Sequence, residues 1–274
     1  MQGIKAFIPT AQKVQYLQSL LRVGFDTIDF GSFVSPKAIP QMADTAEVLS
    51  QLDLSSTQSK LLAIVANSRG ALDAASHKEI DFLGYPFSIS ENFQMRNTHK
   101  TIAQSIDTLR EILEIARANN KQVVVYISMA FGNPYGDPWN VEIVAKWTER
   151  LNAMGVEILS LSDTIGSSTP KSISYLFSKL IPAYPHIEFG AHLHTNPLHW
   201  HSKVEAAYKA GCLRFDGAIQ GFGGCPMAKD ELTGNMPTEK LLSYFTTQKA
   251  FTNLNALSFE SAYNEATKIF SVYH

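Results

Sequence analysis

The sequence has few cysteines, no long apolar run and no excess of charge of either sign. Two of its 274 residues are cysteine, Cys212 and Cys225. That is too few for the disulfide framework of a small secreted domain, so we expect both thiols to be free in a reducing compartment. No apolar run approaches the roughly 18 residues that span a bilayer, and no signal peptide opens the chain. These absences predict a soluble, cytoplasmic protein with no membrane partner.

Charge and linkers give no sign of a large partner or of a second domain. The chain has 23 Lys and Arg against 25 Asp and Glu, a formal charge of −2. Because neither sign forms a long run, we expect no nucleic-acid binding. No segment rich in proline, glycine or serine divides the chain. The length of 274 residues and the 45% hydrophobic content therefore favour one domain, residues 1–274, with a sizeable core.

Short β-rich runs alternate with longer amphipathic stretches, which is typical of repeated βα units around a parallel sheet. The predicted strands cover residues 25–30, 61–66, 80–87, 123–130, 157–162, 187–194 and 213–219. The predicted helices cover residues 10–22, 38–51, 69–77, 97–118, 141–154, 172–181, 199–210 and 258–271. Several of these helices should end at a glycine, such as Gly155 and Gly211.

The order of these elements predicts an α/β fold, the (β/α)₈ TIM barrel, with its first strand missing from the sequence. A barrel of this kind starts with a strand, but here a helical pattern beginning near Thr10 precedes the first strand. Seven strands behind a leading helix suggest that Met1 is an internal methionine of a longer reading frame. An open sheet or a barrel of seven strands is the alternative.

A histidine pair ends the predicted strand 187–194. His192 and His194 share one face because side chains alternate along a strand, and the C-terminal ends of barrel strands are where sites are built. Two imidazoles placed in this way can bind one divalent metal ion. The simpler interpretation of an H-x-H pair is structural or exposed histidines, which is how we interpret the nearby His199 and His201.

A glycine-rich segment, residues 221–226, precedes Asn235. Glycines let a backbone approach a ligand, and a thiol at the tip of such a loop, Cys225, could carry protons between solvent and an enclosed site. An ordinary turn with an inert thiol is the alternative. The amide oxygen of Asn235 would suit Mg²⁺ or Mn²⁺ better than Zn²⁺.

Acidic residues also follow several predicted strands. Asp29, Glu91 and Asp163 lie at strand ends, where each alone could equally be a helix cap or a solvated acid. Together with the histidines they favour a site at these ends. Asp216 and Asp81 lie within predicted strands, and the sequence suggests no role for them beyond hydrogen bonding in the barrel.

These segments, in this order, resemble hydroxymethylglutaryl-CoA lyases, within the larger group of metal-dependent barrel lyases and Claisen-type synthases. The matching stretches are residues 32–37 (S-F-V-S-P-K), 40–44 (P-Q-M-A-D), 162–166 (S-D-T-I-G), 192–194 (H-L-H), 223–226 (G-G-C-P) and 234–235 (G-N). The likeness covers nearly the whole chain. The S-F-V-S-P-K and G-G-C-P stretches are specific to the lyase branch.

The resemblance implies retro-Claisen cleavage of 3-hydroxy-3-methylglutaryl-CoA to acetyl-CoA and acetoacetate, a reaction of leucine degradation and ketone-body formation. It implies a divalent metal ion, Mg²⁺ or Mn²⁺, on His192, His194 and Asn235. His192 would also act as base or proton carrier. An acyl-CoA is the implied substrate, and a homodimer is the family expectation.

The resemblance also assigns roles outside the implied metal site. Cys225 would return a proton to the enolate that carbon–carbon cleavage leaves. Asp29 matches a catalytic glutamate of the family. Asp163, Ser35 and Lys37 would contact the substrate, with Lys37 a candidate for the nucleotide end of coenzyme A.

The sequence departs from the family pattern at several site positions. The stretch Met1-Gln2-Gly3 resembles the residues just after the family's Arg-Asp pair, which would serve the enolate and the metal ion. Asn133 stands where the family has a cysteine, and Thr195-Asn196 stands for Asp-Thr. We therefore expect little activity from the chain as written. The alternatives are a related aldolase, an acyl-CoA condensing synthase, or an inactive binder of acyl-CoA or metal.

Overall fold

The computed structural model describes residues 1–223, 233–250 and 253–273. Within them, seven strands form one parallel sheet in the order of the sequence. They are β1 (Thr27–Ser32), β2 (Lys60–Ile64), β3 (Ile80–Ser88), β4 (Gln122–Ser128), β5 (Ile158–Ser162), β6 (Glu188–His192) and β7 (Arg214–Phe215). Sequential parallel pairing with helices between the strands is the arrangement of an α/β barrel. The number of strands is the number that the sequence predicts.

Ten α-helices and two short 3₁₀ turns, Pro40–Met42 and Ile219–Gly221, complete the described residues. The helices are α1 (Thr10–Leu21), α2 (Thr45–Ser50), α3 (Ser68–Ala75), α4 (Glu91–Thr98), α5 (Ile102–Ala118), α6 (Val141–Ala153), α7 (Pro170–Ala183), α8 (Trp200–Lys209), α9 (Thr238–Thr247) and α10 (Ala256–Tyr273). The predicted stops after α6 and α8 are confirmed, because Gly155 and Gly211 have positive φ angles of +87° and +94°.

Two helix predictions were wrong, and two helices, α4 and α9, were missed. The predicted helix 38–51 is a 3₁₀ turn followed by the short α2. The predicted helix 97–118 is broken at His99, which adopts the left-handed conformation, and α5 starts afresh at Thr101 with a capping box closed by Gln104. Helix α9 was not predicted at all. The predicted strand 213–219 is also too long, since β7 has two residues and a 3₁₀ turn follows it.

The two faces of the sheet carry different contacts. Alternate residues of β2 to β5 form a small apolar cluster that includes Leu62, Phe82, Val124 and Ile158 and contains no helix residue. We call the face that carries this cluster the interior face. The opposite residues, such as Leu61 and Ala63, belong to a large cluster shared with the surrounding helices. The helices therefore cover one face, and the other lines the inside of the curled sheet.

Two further observations bear on the composition. Cys212 is a free, fully buried thiol, as expected, and burial raises its pKa to about 12. Cys225 lies outside the described residues. In the described part of the chain, no helix combines the length and the apolarity that a membrane crossing requires.

Candidate active site

The histidine pair lies at the carboxyl end of β6. His192 is the last residue of the strand and His194 follows it, and their ring centroids are 5.5 Å apart. An isolated antiparallel bridge joins His194 to Asn235, with the Met236 amide donating to the Leu193 carbonyl at 3.0 Å. The structure therefore brings together the three predicted metal ligands, although residue 235 is 41 residues beyond His194.

His194 is a neutral imidazole in a buried position. Its residue is 3% exposed, and burial lowers its pKa to about 3, with the charges of His192 and Lys203 acting in the same direction. Hydrogen bonds with the Thr164 backbone and the Asn235 carboxamide act in the opposite direction and to a smaller extent. The Nδ1 atom of His194 is buried and has no hydrogen-bond partner among the described residues. An unpartnered lone pair or N–H in this position is costly unless a ligand completes it.

His192 faces the inside of the sheet and contacts a carboxylate. Its Nδ1 lies 3.1 Å from Oδ2 of Asp216, the residue after β7. The Ser160 hydroxyl donates to the same oxygen at 2.9 Å. Burial raises the pKa of Asp216, but the contacts with His192, Arg214 and Ser160 outweigh this effect and hold it below its ordinary value. Because a carboxylate only accepts hydrogen bonds, Nδ1 of His192 carries the proton and Nε2 is the ring nitrogen left for another partner.

Asp29 also lies on the interior face. It pairs in register with Leu62 of the interior cluster, and water can reach its side chain because it lines the open inside of the sheet. Surrounding protein nevertheless desolvates the carboxylate and raises its pKa to about 7, and the Asp216 charge contributes to the increase. A carboxyl group tuned to this range can give or take a proton near neutral pH.

The donors at the end of β6 fit a divalent cation. Two imidazoles and one amide oxygen form a mixed nitrogen and oxygen set of the kind that Mn²⁺ and related ions accept. In the described residues no group of three or more His, Cys, Asp or Glu side chains could hold a metal ion.

Asp163 was predicted to contact substrate, but the structure gives its carboxylate a full set of protein partners. It is 1% exposed, forms an ion pair with Lys203 Nζ at 2.7 Å, and accepts hydrogen bonds from the amide and the hydroxyl of Ser168 at 3.0 and 2.5 Å. Lys203 also donates to the His194 carbonyl at 2.9 Å. This contact connects Asp163 to the histidine pair without exposing Asp163 to a ligand.

The other predicted site residues lie apart from the histidine pair or outside the described chain. Ser35 and Lys37 are exposed in the loop after β1, which emerges at the same edge of the sheet because all strands are parallel. Cys225 is outside the described residues. Glu91 is in the first turn of α4, where its carboxylate accepts from the Ile102 amide at 3.2 Å. Asn133 shapes its own loop by accepting the Tyr135 amide at 3.0 Å.

Sequence reasoning missed several residues that line the interior face around His192. They are Tyr126, whose ring centroid lies 5.5 Å from that of His192, and Ser160 and Arg214 around Asp216. Burial raises the pKa of Tyr126 far above its ordinary value, so its hydroxyl stays neutral. Strand alternation alone could have placed Ser160 and Arg214 on the interior face, but neither residue stands out from sequence as part of a site.

Comparisons with known proteins identify the family. The family model described as HMGL-like matches residues 1–265. A mitochondrial hydroxymethylglutaryl-CoA lyase from Bos taurus is 33% identical over 244 residues, 88% of this chain and 74% of the relative. A 3-hydroxy-3-isohexenylglutaryl-CoA/hydroxymethylglutaryl-CoA lyase from Pseudomonas aeruginosa is 32% identical over 242 residues, 88% of this chain and 80% of the relative.

A solved structure gives the same result. An HMG-CoA lyase from Acinetobacter baumannii, in complex with coenzyme A and 3-methylmalate, superposes with a TM-score of 0.90 at 27% identity and covers 98% of this chain and 87% of that chain. The barrel class and the resemblance found in the sequence are confirmed. With a family model that spans nearly all of its residues, the chain belongs to the HMGL-like family.

Proposed function

We propose that this protein is a carbon–carbon lyase that cleaves 3-hydroxy-3-methylglutaryl-CoA to acetyl-CoA and acetoacetate. One observation carries the proposal: His192, His194 and Asn235 meet at the carboxyl end of the barrel strands in a chain of the HMGL-like family. Its named relatives are lyases of this type. A cytoplasmic location and a homodimer remain parts of the proposal, and the Bos taurus relative is named as mitochondrial.

The proposed cofactor is one Mg²⁺ or Mn²⁺ ion on His192, His194 and Asn235. Such an ion, when bound, polarises a substrate hydroxyl and makes its proton easier to remove. The three side chains are neutral ligands, because His194 is held neutral by burial and Asn235 is an amide. They would therefore leave the charge of the ion available to the substrate.

Side chains on the interior face would move the protons. With Nδ1 directed at Asp216 and Nε2 reserved for the ion, His192 has no nitrogen left for proton transfer, so we assign the removal of the tertiary hydroxyl proton to Asp29. Its raised pKa, about 7, suits that task. As the hydroxyl oxygen becomes the carbonyl of acetoacetate, the adjacent carbon–carbon bond breaks and its electron pair passes into the thioester enolate. Cys225, by its place in the sequence motif, returns a proton to that carbon.

The acyl-CoA would enter over the edge where the strands end. Ser35 and Lys37 are exposed at this edge, and a lysine ammonium can bind a phosphate of coenzyme A. Asp163 would not contact substrate. It would hold the Lys203 ammonium, which in turn donates to the His194 carbonyl. The Pseudomonas aeruginosa relative is named for two acyl groups, so a longer branch at the third carbon is the natural second substrate to test.

The test combines turnover with metal binding. The purified chain should release acetoacetate from 3-hydroxy-3-methylglutaryl-CoA in the presence of Mn²⁺, at the low rate expected of a sequence without the family's Arg-Asp pair, and calorimetry should show Mn²⁺ binding. His194→Ala and Asn235→Ala should each lose both properties. His201→Ala is the matched control, because His201 is an exposed histidine on α8 and should change neither.

Other outcomes would replace the lyase assignment. Mn²⁺ binding without turnover of either acyl-CoA would indicate a binding protein. Release of free coenzyme A when acetyl-CoA is supplied with a 2-oxo acid would indicate a condensing synthase. Normal turnover by His194→Ala would show that the reaction uses another part of the barrel.

A further inference from the structure

Asp216 lies at the centre of a polar network beside the proposed metal ligand His192. Its two carboxylate oxygens have different partners. Oδ2 lies 3.1 Å from His192 Nδ1 and accepts the Ser160 hydroxyl at 2.9 Å. Oδ1 lies 3.8 Å from Arg214 Nε. The network therefore joins three neighbouring strands, β5, β6 and β7, on the interior face.

Arg214 gives the carboxylate a fixed electrostatic neighbour. Its side chain is 13% exposed, and its Nη1 donates to Glu188 at 3.1 Å. The Nε of Arg214 is buried and has no hydrogen-bond partner in the described residues, so Asp216 is the anion that balances this end of the guanidinium. Gly190 leaves the space for this arrangement, because a Cβ there would lie 3.0 Å from Arg214 Cδ and 3.1 Å from Ser160 Oγ.

We propose that Asp216 is a positioning residue for His192. Its carboxylate accepts the Nδ1–H of His192, fixes the ring orientation and selects the tautomer in which Nε2 carries a free lone pair. Ser160 and Arg214 hold the carboxylate in place for this purpose. The inference deepens the proposed function, on which it rests, because Nε2 is the atom that we assign to the divalent ion.

The tautomer is the property on which this role depends. A neutral imidazole can carry its proton on either nitrogen, and only the partner of one nitrogen decides which of them is left to bind a cation. Partners of this kind typically contribute a factor of about 10 to 100 in metal affinity.

The first measurement needs no metal and no substrate. Nitrogen NMR of metal-free protein with labelled histidine, at pH 8, should show His192 protonated at Nδ1 in the wild type. In Asp216→Asn the side-chain amide can present either its oxygen, which accepts a hydrogen bond, or its N–H group, which donates one, to Nδ1 of His192. His192 should then adopt the other tautomer or a mixture of the two. The matched control is Asp81→Asn, the same substitution of an aspartate on β3 that accepts the Leu61 amide at 3.0 Å, and it should leave the His192 signals unchanged.

The second measurement is the Mn²⁺ affinity by calorimetry. Asp216→Asn should weaken it about 10- to 100-fold. Ser160→Ala removes one supporting hydrogen bond and should weaken it about 2- to 10-fold. This second variant keeps the test available if Asp216→Asn does not fold.

The results separate this inference from the lyase proposal. A changed tautomer and a weaker Mn²⁺ affinity in a protein that cleaves no acyl-CoA would support the positioning role and reject the proposed reaction. An unchanged His192 tautomer in Asp216→Asn, or Mn²⁺ affinities within twofold of the wild type in both variants, would overturn the positioning role whatever the activity.

Discussion

Asp29, on the interior face, has a raised pKa that suits its proposed role as a base and that lowers the stability of the folded protein at high pH. Its pKa of about 7 lies above the ordinary value of 3.8 because the surroundings desolvate the charged form. The folded state therefore holds this proton more tightly than the unfolded state, and the stability that it contributes is present at low pH and is lost as the pH rises towards 7.

We predict that Asp29→Asn raises the stability of the metal-free protein relative to the wild type at pH 8, while the difference becomes smaller at pH 5. The neutral amide avoids the cost of a desolvated charge. Urea unfolding in EDTA at the two pH values measures the effect. Asp29→Glu is the control, because it keeps a titrating carboxyl and should follow the wild type. The same Asp29→Asn protein should lose most of its lyase activity. A stability difference that is equal at both pH values would contradict the prediction.

The two thiols should differ strongly in reactivity. Cys212 is completely buried, and its pKa of about 12 keeps it protonated, so it lacks the thiolate that reacts with disulfide reagents. With Cys225 at the tip of a glycine-rich loop, as the sequence predicts, one thiol per native chain should react with DTNB at pH 8 and the second only after unfolding. Cys225→Ala should abolish the native reaction, and Cys212→Ser should preserve it. Two fast thiols in the native protein would refute this assignment.

Among single residues, the sequence identified site residues whose pattern is local in the chain. It missed those whose contacts are with residues far away in the sequence. His192 and His194 were identified because strand alternation places both on one face. The role of Asp216 could not be inferred, since its partners Ser160 and Arg214 lie on separate strands. Asp163 was placed at the substrate because its lysine partner lies 40 residues away and is invisible in the local motif.

Among the elements, α8 connects the helical layer to the site through Lys203. This lysine is 4% exposed and reaches the Asp163 carboxylate as well as the carbonyls of Gly166 and His194. Its three donors therefore fix the ends of β5 and β6 relative to each other. Removing the ammonium would leave a buried carboxylate without its cation.

We predict that Lys203→Met lowers the free energy of unfolding by about 3 to 5 kcal/mol, the usual cost of breaking a buried ion pair. Because the His194 carbonyl loses a donor, Mn²⁺ binding should also weaken. Chemical denaturation and calorimetry measure the two effects. The control is Lys209→Met on the same helix, whose ammonium contacts Glu205 in an exposed pair and which should leave both quantities unchanged. Equal losses from the two variants would contradict the assigned role.

Element boundaries were predictable where caps and periodicity agree. The ends of α6 and α8 were predicted from Gly155 and Gly211. The capping box at Thr101 can also be read in the sequence, but the predicted helix began at residue 97 and did not use it. The break before α5 was missed because His99 adopts the left-handed conformation, which neighbours impose and which apolar periodicity does not reveal. The shortness of β7 was missed for a similar reason: the chain leaves the sheet to pair Ala218 with Pro237.

Across the whole molecule, α10 joins the beginning of the described sheet to its end. Phe270 contacts Tyr16 of α1 at 5.7 Å and Phe222, after β7, at 4.5 Å between ring centroids. The resulting cluster is separate from the main core. The sequence predicted this last helix but could not show that it covers both ends of the sheet, since that depends on how the sheet curls.

This arrangement couples the C-terminal helix to the proposed metal site. The Phe222 carbonyl accepts a hydrogen bond from the Asn235 amide group at 3.1 Å, so the position of Phe222 helps to orient Asn235. Phe270→Ala should lower the free energy of unfolding by about 3 to 5 kcal/mol, as for other buried phenylalanines. It should also weaken Mn²⁺ binding about 2- to 10-fold, the effect of loosening one hydrogen bond.

Leu257→Ala separates these effects from a general weakening of α10, because Leu257 is on the same helix and 79% exposed. It should change the free energy of unfolding by less than about 0.5 kcal/mol, as surface substitutions usually do, and leave Mn²⁺ binding unchanged. A Phe270→Ala protein that is destabilised but binds Mn²⁺ normally would show that α10 supports the fold alone. Weaker binding in Phe270→Ala under conditions where the protein is fully folded would show that the cluster transmits its packing to Asn235 through Phe222.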